Sequence, residues 1–216
     1  MDIKTRNDEI SVNLLVDAKS EYTKQLCNIL TPLIYDGINS IYYDAKKIAT
    51  QPNEVLCQFQ ELLRSVPKWN QDVIDKECNR IIKDSNCDWL DDLISAVFVT
   101  YAKILSVVRV GNSIKHLNLT VPKIGYFIHK CYIETAREIF RNPYLFSDRL
   151  DLHIRQSNMR KSNKIISNCI IEAIRNLLPL KYILQKYLKQ NYNENDDDVD
   201  ITNRNMSNAQ NENLKN

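Results

Sequence analysis

The sequence contains only three glycines among 216 residues. Glycine adopts left-handed backbone conformations without steric cost, so its scarcity leaves few tight hairpins and few phosphate-binding loops. Neither a G-x-G-x-x-G fingerprint nor a Walker loop occurs in the sequence. Dinucleotide-binding and P-loop chemistry are therefore excluded, and a helical body is favoured.

Recognisable metal and thiol motifs are also missing. The six cysteines form no C-x-x-C pair, and the three histidines stand too far apart for a familiar zinc motif. His129 and Cys131 are two positions apart, which on a helix points them in nearly opposite directions, so one does not activate the other locally. We expect no catalytic residue, no metal and no cofactor. An enzyme whose site is assembled from distant helices remains the least favoured hypothesis.

Long apolar runs are absent as well. The most apolar stretch, residues 93–110, is interrupted by Lys103 and Arg109, whereas a membrane span needs roughly 18 apolar residues. The N-terminal residues lack the charged-then-apolar order of a signal peptide. We therefore expect an intracellular protein with no membrane span, whose cysteines are reduced and mostly buried.

Apolar residues recur at helical spacing over most of the chain. Prolines at positions 32, 67, 143 and 179 interrupt this pattern and mark places where helices are expected to end or bend. This pattern predicts an all-α protein, a single bundle of six or seven helices over residues 20–190. Ser20 and Asp88 are the expected N-caps of the first and fourth helices, and the third helix is expected to begin at Asn70. Pro32 is expected to kink or split the first helix, and Trp89 is expected to lie in the core beside the fourth.

The two ends of the chain have a different character. Ile10, Val12, Leu14 and Val16 recur at every second position, which predicts an extended N-terminal arm over residues 1–19. Residues 191–216 contain nine asparagines and carry six acidic against two basic side chains. Such a segment cannot bury enough apolar surface to fold, so we expect a disordered acidic tail.

Two groups of residues are candidates for binding. Trp69, Tyr144 and Phe146 are aromatic residues beside proline breaks, where they either plug the end of the bundle or anchor an interface. Arg155, Arg160, Lys161 and Lys164 place four positive charges in ten residues without an acid. This basic segment, residues 155–164, suits an anion contact, a solvated helix start or a protein contact.

Several ordered strings resemble an uncharacterised helical family of nucleocytoplasmic large DNA viruses. They include Gly37-Ile38, Val66-Pro67-Lys68-Trp69-Asn70, Arg80-Ile81, Trp89-Leu90-Asp91-Asp92-Leu93, Phe127-Ile128-His129-Lys130-Cys131-Tyr132-Ile133 and Asn142-Pro143-Tyr144-Leu145-Phe146. The resemblance covers roughly residues 20–190 and implies a virus-encoded protein made in the infected cytoplasm. We infer separately that it stays in the host cytoplasm or enters the virion. None of these strings is a catalytic signature.

From these observations we expect a non-enzymatic structural or protein-interaction protein that acts in virion assembly or architecture. Its partners would be other proteins, with capsid-layer proteins as the expected class. The alternative is a nucleic-acid-associated factor that uses the basic segment. Net charge does not favour this alternative, because the whole chain carries only +2.

Overall fold

The structure is a computed structural model that describes residues 3–110, 121–178, 180, 181 and 185, with side chains from residue 13 to 105 and from 121 onward. Within these residues it contains six α-helices and no strand, which confirms the all-α prediction. The helices are α1 (Ile3–Ile48), α2 (Val55–Ser65), α3 (Gln71–Asp84), α4 (Leu90–Val110), α5 (Ile124–Arg141) and α6 (Leu152–Leu177). Short 3-10 turns lie at Val66–Lys68 and Pro143–Phe146.

The chain divides into two compact units. Of the described residues, 3–101 and 121–178 belong to the first, and 102–110, 180, 181 and 185 belong to the second. The described side chains lie mainly in the first unit, which contains every site discussed below. The predicted acidic tail, residues 191–216, lies outside the described residues.

The core of the first unit lies where α1, α2, α5 and α6 pack together. α1 packs against α2 and α6, and α5 packs against α6, α2 and α3. Tyr42 near the end of α1 bonds to Asp148 just before α6, whereas Cys27 earlier in α1 contacts Ser167 well along α6. These two helices are therefore antiparallel. Fully buried side chains include Leu26, Leu30, Ile34 and Ile38 of α1, Phe59 of α2, Phe127 and Tyr132 of α5, and Ile166, Ile170 and Ile174 of α6.

The predicted extended arm is wrong, because α1 begins at Ile3 and runs through the alternating segment. Leu14 and Val16 are both exposed on this helix. Four alternating residues are too few to specify a strand where no sheet is present, and extending an existing helix costs little per residue. Ser20 accordingly lies inside α1 and does not cap it.

Pro32 also lies inside α1, so the predicted division of this helix into two does not occur. A proline removes the amide that would bond to the carbonyl four residues earlier, here Asn28. Asn28 is exposed, which leaves that carbonyl within reach of water. Leu30 and Ile34 on either side are fully buried, and their packing holds the helix together across the proline.

Helix starts follow the predicted capping residues in part. The side chain of Asn70 accepts a hydrogen bond of 3.0 Å from the Val73 amide and so caps α3, which confirms the predicted start of this helix at Asn70. α4 begins at Leu90, with Asp91 and Asp92 in its first turn as expected. The Trp89 carbonyl accepts the first helical hydrogen bond, from the Leu93 amide, so Asp88 is not the N-cap that the sequence predicts. Trp89 is 46% exposed, so its prediction as a core residue is wrong. It precedes the first helical residue, outside the apolar face that the helix buries.

None of the helices in the described residues combines the length and apolar content needed to cross a bilayer.

Candidate interaction sites

Trp69 follows the 3-10 turn between α2 and α3 and is half-buried. Its ring stacks on His129 with 5.9 Å between centroids and 10° between planes, and it lies 5.2 Å from the ring of Tyr132. The His129 Nε2 atom is 2.9 Å from the Val66 carbonyl oxygen. Trp69 therefore joins the α2–α3 junction to α5, as expected of an aromatic plug at a helix junction.

Tyr144 and Phe146 have separate environments although they share one 3-10 turn. Phe146 is buried, with its ring stacked on Tyr35 at 5.1 Å between centroids and tilted against Phe59 at 5.7 Å. Tyr144 is 51% exposed. Only Tyr144 of this pair is available to a partner, because Phe146 fills space between α1 and α2.

A polar network joins α1, α3 and α5 at Tyr132, Glu77 and Arg80. The Tyr132 hydroxyl donates to Glu77 Oε1. Arg80 Nη2 donates to the same oxygen at 2.6 Å and to the Leu33 carbonyl of α1 at 2.7 Å. The network therefore gives the fully buried Tyr132 hydroxyl a hydrogen-bond acceptor. It also gives the Leu33 carbonyl of α1 a hydrogen-bond donor.

Gly37 makes this network possible. A β-carbon at Gly37 would stand 1.8 Å from the Tyr132 hydroxyl oxygen and 2.8 Å from Glu77 Oε1. No other residue type lacks a β-carbon, so glycine is required for this close approach. Gly37 and Tyr132 are far from Glu77 and Arg80 in the sequence. Only the pairing of Glu77 with Arg80, three positions apart on one helix, can be predicted from local spacing.

The electrostatics of the network keep the Tyr132 phenol and the Arg80 guanidinium protonated. Burial raises the pKa of Tyr132 well above its usual value, and the neighbouring Glu77 carboxylate raises it further. The hydrogen bond to Glu77 raises the pKa of the Arg80 guanidinium. The arrangement is therefore a carboxylate accepting from a neutral phenol and a guanidinium, which suits a structural link better than proton transfer.

A cleft of about 640 Å³ opens beside this network. Trp69, Tyr132, Glu77 and Arg80 line it, and the carboxylates of Asp36, Asp44 and Asp84 lie around them. The side-chain amine of Lys76 adds a positive charge to the lining. Because Tyr132, Glu77 and Arg80 already bond to one another, the main observed role of these groups is to hold three helices together.

The basic segment lies in the first half of α6. Arg155, Arg160, Lys161 and Lys164 are all exposed, and none of them forms an ion pair with any residue that the structure describes. Asn158 and Ser162 in the same stretch are buried, so the helix is attached to the bundle along one face. The four cations are therefore free to meet an anionic partner.

α6 also carries an apolar seam that is only partly covered. Leu152, Met159, Ile166 and Ala173 are seven residues apart and lie along one face of the helix. Ile166 and Ala173 are buried, whereas Leu152 is 81% and Met159 45% exposed. With Tyr35, Arg155 and Gln156, these two exposed residues line a groove of about 340 Å³. The seam therefore continues beyond the part that the bundle covers.

The cysteines and His129 occupy structural environments. All six cysteines are free, and five are buried as the sequence predicts, while Cys57 is exposed. Burial raises the pKa of Cys131 well above its usual value. Across the described residues, no group of three or more His, Cys, Asp or Glu side chains is placed to hold a metal ion.

The network and the Trp69 junction lie in the part of the chain that matches a known family. No curated protein and no solved structure matches the chain. The matching family model, described as a family of unknown function and designated DUF5764, covers residues 12–147, well over half of the sequence. The match ends before α6, so it includes Gly37 and Tyr132 but not the basic segment. On this evidence, the chain belongs to DUF5764.

Proposed function

We propose that this chain is a non-enzymatic, virus-encoded protein that acts by protein contacts in virion assembly or architecture. The viral source rests on the sequence strings that resemble a helical family of large DNA viruses. The observation that carries the contact role is the exposed end of the α6 seam, Leu152 and Met159. The place of action is the host cytoplasm or the virion.

The physical argument concerns the apolar area left in water. Fully burying a side chain such as leucine or methionine stabilises by about 1.5–3 kcal/mol, and Leu152 is almost entirely exposed. A helix from a capsid-layer protein, laid along the seam, would cover Leu152 and Met159 as the bundle covers Ile166 and Ala173. Tyr144, also exposed, adds an aromatic anchor on the turn that precedes α6.

Quantitative proteomics of purified particles against infected-cell lysate tests this proposal. The protein should be enriched in particles, and the double variant Leu152→Glu/Met159→Glu should be incorporated less. The matched control is Leu14→Glu/Ile82→Glu, which changes two other exposed apolar residues, 64% and 39% exposed. Absence of the wild-type protein from particles would refute the proposal.

A nucleic-acid role is the second candidate. The cations of the basic segment favour it, because they are exposed and form no ion pair within the described part of the chain. Neutralising phosphates with such cations releases counterions, so affinity should fall steeply as salt increases. A low-salt gel shift with duplex DNA tests this role. The variant Arg160→Gln/Lys161→Gln/Lys164→Gln should weaken binding and reduce the salt dependence, and no shift by the wild-type protein would exclude the role.

A further inference from the structure

A pocket of about 300 Å³ lies between α2 and α5, on residues other than those of the α6 seam. Its floor is apolar and formed by Leu63, Ile133, Ala136 and Phe140. Leu63, Ile133 and Ala136 are buried, and Phe140 is half-buried. The volume is at the lower end of the range for ligand sites, about 300–1,000 Å³, and suits one or two apolar side chains.

Three arginines surround this floor: Arg64 of α2, and Arg137 and Arg141 of α5. They approach from both helices, and the guanidinium carbon of Arg64 lies 5.3 Å from the centre of the Phe140 ring. All three side chains are more than half exposed. The pocket therefore has an apolar centre with positive charge on both sides.

Each arginine already has an acidic neighbour three positions earlier in its helix. The pairs are Arg64–Glu61 at 3.4 Å, Arg137–Glu134 at 2.8 Å and Arg141–Glu138 at 2.6 Å. Arg64 and Glu61 are both more than half exposed, whereas Glu138 is 43% and Glu134 only 18% exposed. Exposed pairs contribute only about 0–1 kcal/mol, so a ligand competes most readily for Arg64 and Arg141. Each pair uses Nη1, and a guanidinium has five N–H donors, so donors remain for a second anion.

We propose that this pocket binds an acidic peptide segment of a partner protein, with one aliphatic side chain between flanking carboxylates. The aliphatic side chain fills the apolar floor. The carboxylates on its two sides meet Arg64 on α2 and the Arg137–Arg141 pair on α5. Planar guanidinium groups match carboxylates with two parallel hydrogen bonds, which adds orientation to charge attraction.

Other anionic ligands fit this pocket less well. A nucleic acid base needs an exposed aromatic face for stacking, and the single ring here, Phe140, is half-buried and near Arg64. An acyl chain carries a single carboxylate at one end, so it would meet the arginines on one side of the floor and bring no carboxylate to the other side. The charge on both sides of a compact apolar floor favours a short peptide in which acidic residues flank one aliphatic residue.

Fluorescence anisotropy with the full chain tests the proposal, using the labelled peptide Asp-Asp-Leu-Asp-Asp as probe. The wild-type protein should bind it, and Arg137→Gln/Arg141→Gln should bind roughly tenfold more weakly because two charge-assisted contacts are lost. The matched control is Arg175→Gln on α6, since Arg175 pairs with Glu172 three positions earlier at 3.2 Å but does not line the pocket. Circular dichroism checks that each variant remains folded.

Two further probes separate charge from the apolar anchor. Replacing the aspartates by asparagine, or the leucine by glycine, should each weaken binding by roughly tenfold or more. No binding of the acidic peptide, equal binding of either altered peptide, or equal loss in Arg175→Gln would overturn the proposal. Tighter binding of single-stranded DNA or of laurate than of the peptide, with the same dependence on Arg137 and Arg141, would also overturn it.

Discussion

Gly37 of α1 lies against the hydroxyl of Tyr132 of α5, so that a β-carbon there would stand 1.8 Å from the oxygen. Glycine in the middle of a helix is normally unfavourable by roughly 0.5–1 kcal/mol relative to alanine. Here that cost permits a fully buried phenol to reach Glu77, and Glu77 to reach Arg80. The network therefore depends on Gly37, because any side chain at this position of α1 would occupy the space of the Tyr132 hydroxyl.

Gly37→Ala should destabilise the protein, although alanine is the better helix former. The added methyl group displaces Tyr132 and Glu77, and forcing an extra methyl group into a packed interior costs about 1–3 kcal/mol. Urea denaturation measures the change in the free energy of unfolding.

Two variants make this result specific. Gly125→Ala is the matched control, because a β-carbon there has its nearest neighbours at an ordinary 3.9 Å, and it should leave stability unchanged or raise it. Gly37→Ala combined with Tyr132→Phe should lose less stability than the sum of the single variants, since the clashing hydroxyl is gone. Additive losses would contradict the proposed contact.

Stability should fall at alkaline pH because of buried acids that stay protonated in the folded state. Burial raises the pKa of Cys169 from 9.0 to about 12, and it also raises the pKa of Tyr132. A folded-state pKa above the unfolded value gives stability that is complete below the unfolded pKa and is lost as pH rises towards the folded pKa. For Cys169 this window runs from pH 9 to about 12, with a slope of at most about 1.4 kcal/mol per pH unit.

Urea denaturation at about pH 8 and about pH 11 measures this effect. Cys169→Ala should reduce the alkaline loss, and Tyr132→Phe should reduce the part that begins above pH 10, the usual pKa of tyrosine. Cys57→Ala serves as control because Cys57 is exposed. An alkaline loss unchanged in both Cys169→Ala and Tyr132→Phe would contradict the assignment.

The two tryptophans should differ in their contribution to stability. Trp69→Ala removes ring contacts with His129 and Tyr132, and aromatic pairs contribute about 0.5–1.5 kcal/mol beyond area burial. Trp89 is 46% exposed, so less of its area is lost on truncation. We expect Trp69→Ala to cost at least about 1 kcal/mol more than Trp89→Ala in urea denaturation. Equal costs, or a larger cost at Trp89, would show that Trp69 does not join the junction to α5.

One thiol should react quickly in the native protein. Cys57 of α2 is exposed, whereas the other five cysteines are buried. Titration with a chromogenic disulfide reagent should therefore show one fast equivalent in buffer and six in denaturant. Cys57→Ser should abolish the fast phase alone. Several fast thiols in buffer would mean that the core opens readily.

Local chemistry made part of this fold predictable. The Asn70 cap and the acidic first turn of α4 depend on residues within one helical turn, and the structure has both. The sequence does not predict that α1 is one helix from Ile3 to Ile48. Pro32 and the four alternating residues are local signals for a break and for a strand, and the packing of neighbouring buried residues overrides both. Trp89 was misplaced for a similar reason, since residue type alone does not show whether a side chain lies just before or just inside a helix.

The sites were harder to predict than the helices. Trp69 was identified by its position beside Pro67, but its stacking on His129 depends on how α5 packs. Phe146 and Tyr144 share one turn, and only tertiary packing decides that the first is buried and the second exposed. The Tyr132–Glu77–Arg80 network and the arginine-rimmed pocket involve residues from different helices, so no spacing in the sequence reveals them.

Pro32 leaves α1 with one missing backbone hydrogen bond although the helix is continuous. The helix is unbroken from Ile3 to Ile48, yet the ladder of amide-to-carbonyl bonds lacks one rung, at the carbonyl of Asn28. Fraying that starts at the N-terminus can therefore stop at this gap without opening the turns anchored by Ile34, Ile38 and Tyr42. In native-state hydrogen exchange, α1 would then behave as two cooperative blocks, with residues beyond the proline the slower to exchange.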